Sequence, residues 1–314
     1  MRDSLFLAPL QSFTDYHFRN AFQEVLGDVD RFYAPYLKMA FDGTMKEGPK
    51  LDVLPQNNPF ERVVPQIMAC CAEDFLVMAN YLDDLGYDEV NWNLGCPYPM
   101  VAKRDLGSGI LNKPSKICSI LDDVQQKTPL KIGIKMRMGY ENTSDILDLL
   151  PLLNNYELTE IIVHARYGKQ LYAGGCDHDR FTECIPLTNH SLIYNGDITT
   201  VSEYRKLKKL FPSIDKWMIG RGAIANPFLF EMIQEDTESL PDDYIPVFSD
   251  FLMLLLESHL QQSSNHGNVL FKMTHYWEYF SSNFNEGKKL ARIVKKSKSI
   301  SEYSDFITNL DSFI

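Results

Sequence analysis

The chain has 314 residues, 45% apolar and 23% charged, enough for one full-sized core or for a large domain followed by a small one. Its formal net charge of −11 counts, as a sum, against a nucleic-acid partner, because phosphate is met by lysine and arginine. The six cysteines are scattered, with Cys70 and Cys71 adjacent and no C-x-x-C pair, which argues against a zinc site and a disulfide framework and fits a reducing cytoplasm.

The first apolar run, Leu5 to Pro9, is too short for a signal peptide and is stopped by proline, and no later run reaches membrane-spanning length. Strand-like segments fall at 5–9, 31–37, 62–68, 89–94, 131–136, 160–165, 192–195 and 216–219. Helical periodicity fills 14–26, 73–85, 115–126, 144–154 and 200–210 between them. Thr14 and Ser144 stand where N-caps belong, and Gly27 and Gly86 where helix C-termini do. Strand and helix alternating in this way build a parallel sheet, and eight strands predict a closed (β/α)8 TIM barrel of the α/β class. The stretch 42–59, after the second strand, is irregular. Beyond residue 238 the pattern changes: Pro241 and Pro246 mark a junction, and 248–260, 269–284, 288–296 and 302–310 read as helices. The expectation is a catalytic barrel over 1–238 followed by a small all-helical C-terminal domain over 239–314.

Active sites of this barrel form at strand C-termini, so polar residues there are the candidates. Strand one ends in Ala8-Pro9-Leu10. Gln66 interrupts the apolar third strand, and strand four ends at Asn93 and Cys96. Strand five carries Lys135, strand six ends at His164 and Arg166, strand seven at Asn195-Gly196-Asp197, and strand eight at Gly220-Arg221-Gly222. Each has a plain alternative when taken alone. Lys135 would snorkel, His164 would be a satisfied core histidine, Gly220 a simple turn, and Cys96 a small buried hydrophobe. Their coincidence at one end of the strands favours a site. The last two sets sit where this fold often holds a phosphate, with glycines admitting backbone N–H groups and Arg221 adding a charged donor. Lys135 is suited to the anionic form of an electron-rich ring and Gln66 to a ring edge. A phosphate, a flat heterocycle and a cysteine together describe a flavin mononucleotide (FMN) site.

The run Asn93-Leu94-Gly95-Cys96-Pro97, with Val101, Lys103, Gly107, Gly109 and Leu111, resembles the signature of the tRNA-dihydrouridine synthases. The likeness extends through Ala8-Pro9, Gln66, Lys135-Met136-Arg137, Val163 to Arg166, Tyr172 with Gly174, Asn195 to Asp197, and Ile219 to Ala223. It covers most of residues 5–225 in order. Leu10 replaces the family's usual methionine, and Tyr167 a small hydroxyl residue. The segment Lys272 to Tyr279 is most similar to the bacterial branch acting on uridine 16 of the tRNA D-loop.

The resemblance implies reduction of the C5–C6 double bond of a tRNA uridine, with tightly bound FMN and with NADPH as reductant. It implies Cys96 as general acid toward C5, Asn93 on the uracil edge, Lys135 and His164 at the pyrimidine end of the flavin, and Arg166 at the edge of cofactor or substrate. The base must leave its stack to reach the barrel. That need gives the basic run 288–298 a role that net charge hides. Lys288, Lys289, Lys295 and Lys296, together with Lys103, Arg104 and Lys272, are then expected to meet the tRNA. Two other readings stand beside this one: an FMN barrel reducing a free pyrimidine, and a catalytically silent tRNA-binding factor that keeps the barrel.

Overall fold

The computed structural model describes residues 2–27, 29–59 and 62–313. Nine strands form one parallel sheet: β1 (Ser4–Leu7), β2 (Arg31–Tyr33), β3 (Val63–Val64), β4 (Gln66–Ile67), β5 (Glu89–Leu94), β6 (Lys131–Arg137), β7 (Leu158–His164), β8 (Leu192–Asn195) and β9 (Lys216–Ile219). Their order is β3-β2-β1-β9-β8-β7-β6-β5-β4. The two ends of that order are halves of the third predicted strand, parted by Pro65. Proline has no N–H to give a ladder, so the expected continuous strand over 62–68 is broken there. Its carbonyl still accepts from Asn91 N at 2.9 Å, while Val64 O accepts from Ala34 N at 3.0 Å on the other side. The sheet therefore closes, and the nine segments make the staves of a TIM barrel. The expected second strand is also cut short, at Tyr33, and past Pro35 only the bridge Leu37–Ile67 continues the pairing.

Parallel strands are covered on both faces, which is why they read as nearly unbroken apolar runs. In β5, Trp92 faces the helices and meets Phe75 edge-on, while Asn91 and Asn93 are buried on the other face. Phe6, Tyr33, Val64, Ile162, Ile193 and Met218 pack together as the interior of the barrel. At its lower end Arg31 pairs with Glu89 at 3.1 Å and Glu160 at 3.6 Å, and the Tyr33 hydroxyl donates to Glu160.

Helices Tyr16–Val25, Ala72–Asp84, Pro114–Lys127, Asp145–Leu153 and Val201–Leu210 follow the predicted pattern. Gly27 and Gly86, with φ of +66° and +88°, close the first two. The cap of the first helix is Asp15 rather than Thr14: its carboxylate accepts from Phe18 N at 3.1 Å, whereas Thr14 Oγ1 accepts from Leu10 N at 2.8 Å and so ties down the loop after β1. Ser144 does occupy the N-cap position, but its hydroxyl donates to Asn142 Oδ1 at 2.5 Å instead of capping. The 42–59 stretch contains a short helix, Glu47–Leu51, and the helix His178–Cys184 was not anticipated.

The C-terminal helices are Tyr244–Gln262, His266–Phe280, Gly287–Lys296 and Ile300–Thr308. Phe251 meets Phe18 and Phe22 edge-on at 5.6 and 6.2 Å, so their apolar core is continuous with the outer layer of the barrel. Helix His266–Phe280 is latched to the loop after β1. Lys272 Nζ donates to Ser12 O at 2.6 Å and pairs with Asp15 at 2.8 Å, and the Tyr276 hydroxyl donates to Phe13 O at 2.9 Å. Among the described residues, no helix is long and apolar enough to cross a membrane.

Candidate active site

A cavity of about 510 Å³ opens at the C-terminal ends of the strands, within the range of small-molecule sites. The turn that follows β5 shapes one wall. Asn93 Oδ1 accepts from the backbone N–H groups of Gly95 and Cys96 at 3.1 and 3.0 Å, and Asn93 Nδ2 donates to Gln66 Oε1 at 2.8 Å. Gln66 Nε2 in turn donates to Asn91 Oδ1 at 2.7 Å. This buried amide chain fixes where the strand ends and presents Cys96 to the cavity. Gln66 is fully buried behind Asn93, and is not among the residues lining the cavity.

The glycines that follow in sequence exist for this turn. Gly107 has φ +58°, and a Cβ there would lie 2.6 Å from the Cβ of Cys96. Ser108 then donates twice to the Cys96 carbonyl, from N at 3.0 Å and from Oγ at 2.9 Å. The thiol packs with Met68 and Leu106, and the Tyr36 hydroxyl lies 3.9 Å from the sulfur. Burial raises the thiol pKa, so Cys96 is held protonated.

Cations dominate the rest of the lining. Lys135 Nζ donates to Asn195 Oδ1 at 2.9 Å, and Asn195 Nδ2 donates to Met218 O at 2.8 Å. Loss of water around its ammonium, with Arg137 adding like charge, lowers the Lys135 pKa to about 7. Burial, then the charges of Arg137, Lys135, Arg166 and Arg221, push His164 well below its ordinary value, so its imidazole is neutral. His164 Nδ1 is buried and has no hydrogen-bond partner. Arg166 and Arg221 both donate to Asp197, which is the lining's single carboxylate among the described residues. Burial opposes ionisation of Asp197, but these arginines and Cys176 outweigh it and hold its pKa below the usual carboxylate range. Gly196, at φ +145°, admits the chain past Cys176, whose sulfur would lie 2.5 Å from any Cβ there.

Four cations against one carboxylate, with a neutral imidazole lacking a partner, make a pocket suited to an anionic, hydrogen-bonding ligand. Ala8, Pro9, Leu10, Asn93, Cys96, Lys135, His164, Arg166, Asn195, Gly196, Asp197, Gly220 and Arg221 all line it. Sequence reasoning named Arg137 and Tyr172 only as part of the resemblance and left out Tyr36 and Tyr279; all four also line it. Two guanidinium groups lie over the Tyr172 ring, Arg221 at 4.2 Å and Arg137 at 5.2 Å.

The residues expected to meet RNA lie outside the cavity lining. Lys103 and Arg104 are exposed on the short segment after Cys96, with the Arg104 guanidinium 4.0 Å over the ring of exposed Phe41. Lys288, Lys289, Lys295 and Lys296 are exposed on helix Gly287–Lys296, whose Leu290 and Val294 are buried. Lys272 is mostly buried and spent on Asp15 and Ser12, so it fixes a helix rather than standing free.

A family model described as dihydrouridine synthase matches residues 6–312. A relative in Arabidopsis thaliana, named tRNA-dihydrouridine(47) synthase (NAD(P)(+))-like, is 27% identical over 74% of this chain and 34% of its own length. The chain thus spans about a third of that protein. The tRNA-dihydrouridine(16) synthase of Pseudomonas syringae pv. tomato is 27% identical over 75% of this chain and 77% of its own. Among solved structures, morphinone reductase superposes with a TM-score of 0.52 at 14% identity, covering 79% of this chain and 88% of that one, a likeness of fold alone.

Proposed function

The chain belongs to the dihydrouridine synthase family, and from that premise we propose that it reduces the C5–C6 double bond of a uridine in tRNA, using FMN with NADPH as electron donor. The observation that carries this reading is a thiol kept protonated on the wall of a cavity whose lining also includes Lys135, Arg137, Arg166 and Arg221. The site fits FMN by its own chemistry. Arg221 with the Gly196 and Gly220 turns would hold a phosphate, and Lys135 with His164 would hold the polar edge of the ring, giving the unpartnered His164 nitrogen a role. When bound and reduced, the flavin supplies a hydride to uracil C6.

The chain's own residues do the rest. Asn93, which lines the cavity and gives one amide hydrogen to Gln66, would offer the other to the uracil edge. Cys96 gives its proton to C5 as charge develops there, the raised pKa keeping that proton in place until then. In this reading residues 1–238 carry the chemistry and 239–314 help to hold the tRNA backbone, in the cytoplasm. The modified position is uridine 16, on the similarity of Lys272 to Tyr279 to that branch; relatives named for positions 16 and 47 are equally identical overall.

The test is turnover with NADPH on unmodified tRNA transcripts and on free uridine monophosphate, with dihydrouridine located by mass spectrometry. Dihydrouridine at position 16 of the tRNA supports the proposal. Reduction of the free nucleotide alone would instead favour the small-molecule enzyme. Arg221→Ala should purify with roughly tenfold less flavin, in keeping with the loss of a charge-assisted phosphate contact.

A further inference from the structure

We propose that Tyr36 is a positioning residue for Cys96: its phenol fixes the thiol and donates a hydrogen bond to the sulfur once the proton has left. The contact is Tyr36 Oη to Cys96 Sγ at 3.9 Å, made by the loop after β2 across the mouth of the barrel. This inference rests on Cys96 as the proton donor.

The physical need is plain from the thiol's surroundings. Cys96 is 8% exposed, and its packing partners, Met68 and Leu106, are apolar. When the S–H bond breaks and the C5–H bond forms, the electron pair of the S–H bond stays on sulfur and a thiolate is left in that setting. A thiolate without a donor there is costly, and the cost falls on the proton-transfer step itself. The groups facing the sulfur are few. Tyr36 and Lys38 come from the loop after β2, Arg137 from β6, and the backbone N–H of Tyr98, which also donates to the sulfur, from the cysteine's own loop. Of the three side chains, Tyr36 is the one hydrogen-bonded to the thiol, and it adds to the fixed backbone donor of Tyr98. Burial, with Cys96 and Tyr98 adding to it, raises the phenol above its ordinary range, so it keeps its proton and remains a donor through the whole cycle. Tyr36, like Cys96, lines the cavity, so the contact lies on the cavity wall.

The sign of the effect follows. A hydrogen bond to the charged form lowers the thiol pKa, opposing burial, so Tyr36→Phe raises it further. The experiment uses the flavin-loaded protein as purified. Alkylation of Cys96 by iodoacetamide is followed against pH by peptide mass spectrometry, which separates this thiol from the other cysteines. Flavin reduction by NADPH and reoxidation by tRNA are then timed separately. In Tyr36→Phe the alkylation midpoint should move up by about one pH unit, the usual worth of a hydrogen bond to a charged group. Reoxidation by tRNA should slow by roughly tenfold, with flavin reduction unchanged. An unmoved alkylation midpoint overturns the proposal, and so does a moved midpoint with unchanged reoxidation, which would make the contact structural only. The alkylation arm does not depend on turnover, so it separates this inference from a failure of Cys96 as acid.

Discussion

Lys135 illustrates how the cavity stores its readiness for a ligand. Its ammonium has lost water and sits near Arg137, so its pKa falls to about 7 from the usual lysine value. Between those two values the unfolded chain binds a proton that the folded chain does not, so the stability of ligand-free protein should rise with pH from about 7 to about 10. Lys135→Met should abolish that rise and add a few degrees to the ligand-free melting temperature near pH 7, while weakening flavin retention; thermal melts across pH on the stripped protein check both. At this scale a polar residue interrupting an apolar strand was legible, and Asn93, Lys135 and His164, found in that way, line the cavity, whereas Gln66 does not. It was not legible that Gln66 spends its amide on Asn91 and Asn93, because the register that brings Gln66 beside Asn91 is set by closure of the barrel. Tyr36 escaped notice for a similar reason: it lies three residues beyond the end of β2, and only folding brings it to Cys96.

The elements themselves were legible in proportion to their apolar content. Three strands, β5, β8 and β9, match the expected bounds, since strands covered on both sides leave continuous apolar runs. Helix His178–Cys184 buries only Phe181 and Cys184, and helix Glu47–Leu51 buries nothing and contains both glycine and proline, so neither had a periodic signal to find. Tyr279 reaches the cavity from a helix far along the chain, because Lys272 and Tyr276 latch that helix to the loop after β1. The spacing of Lys272, Tyr276 and Tyr279 on one helical face was the available signal. Helix Gly287–Lys296 carries its exposed lysines on the side away from Leu290 and Val294, and Lys295 lies 3.9 Å from Glu278, a weak contact at the surface. Reversing charge at Lys288, Lys289, Lys295 and Lys296 should reduce tRNA affinity by tenfold or more at low salt and flatten its salt dependence, with NADPH-driven flavin reduction intact. Filter binding over a salt series reads this; equal affinity before and after reversal would make the helix face merely solvated.

For the molecule as a whole, an acidic chain of net charge −11 that is to work on RNA, as proposed, has to separate its charges in space. The cations of the cavity and of the C-terminal helix are local concentrations that the sum conceals. The barrel supplies the rigid ring that holds them: closure through the two halves of the third strand sets Asn93 above Gln66, Asn93 sets the Cys96 turn, and Gly107 leaves room for it. Everything in this chain of contacts converges on the Cys96 thiol, the proton donor of the proposed reaction. Stopped-flow flavin absorbance on Cys96→Ala tests that claim most directly, because it times the two half-reactions separately. NADPH should reduce the bound flavin at close to the normal rate, and reoxidation by tRNA should fall by roughly two to four orders of magnitude, the range of a positioned general acid. Reoxidation of Cys96→Ala by tRNA at near the normal rate would contradict the account, because the proton at C5 would then come from another group.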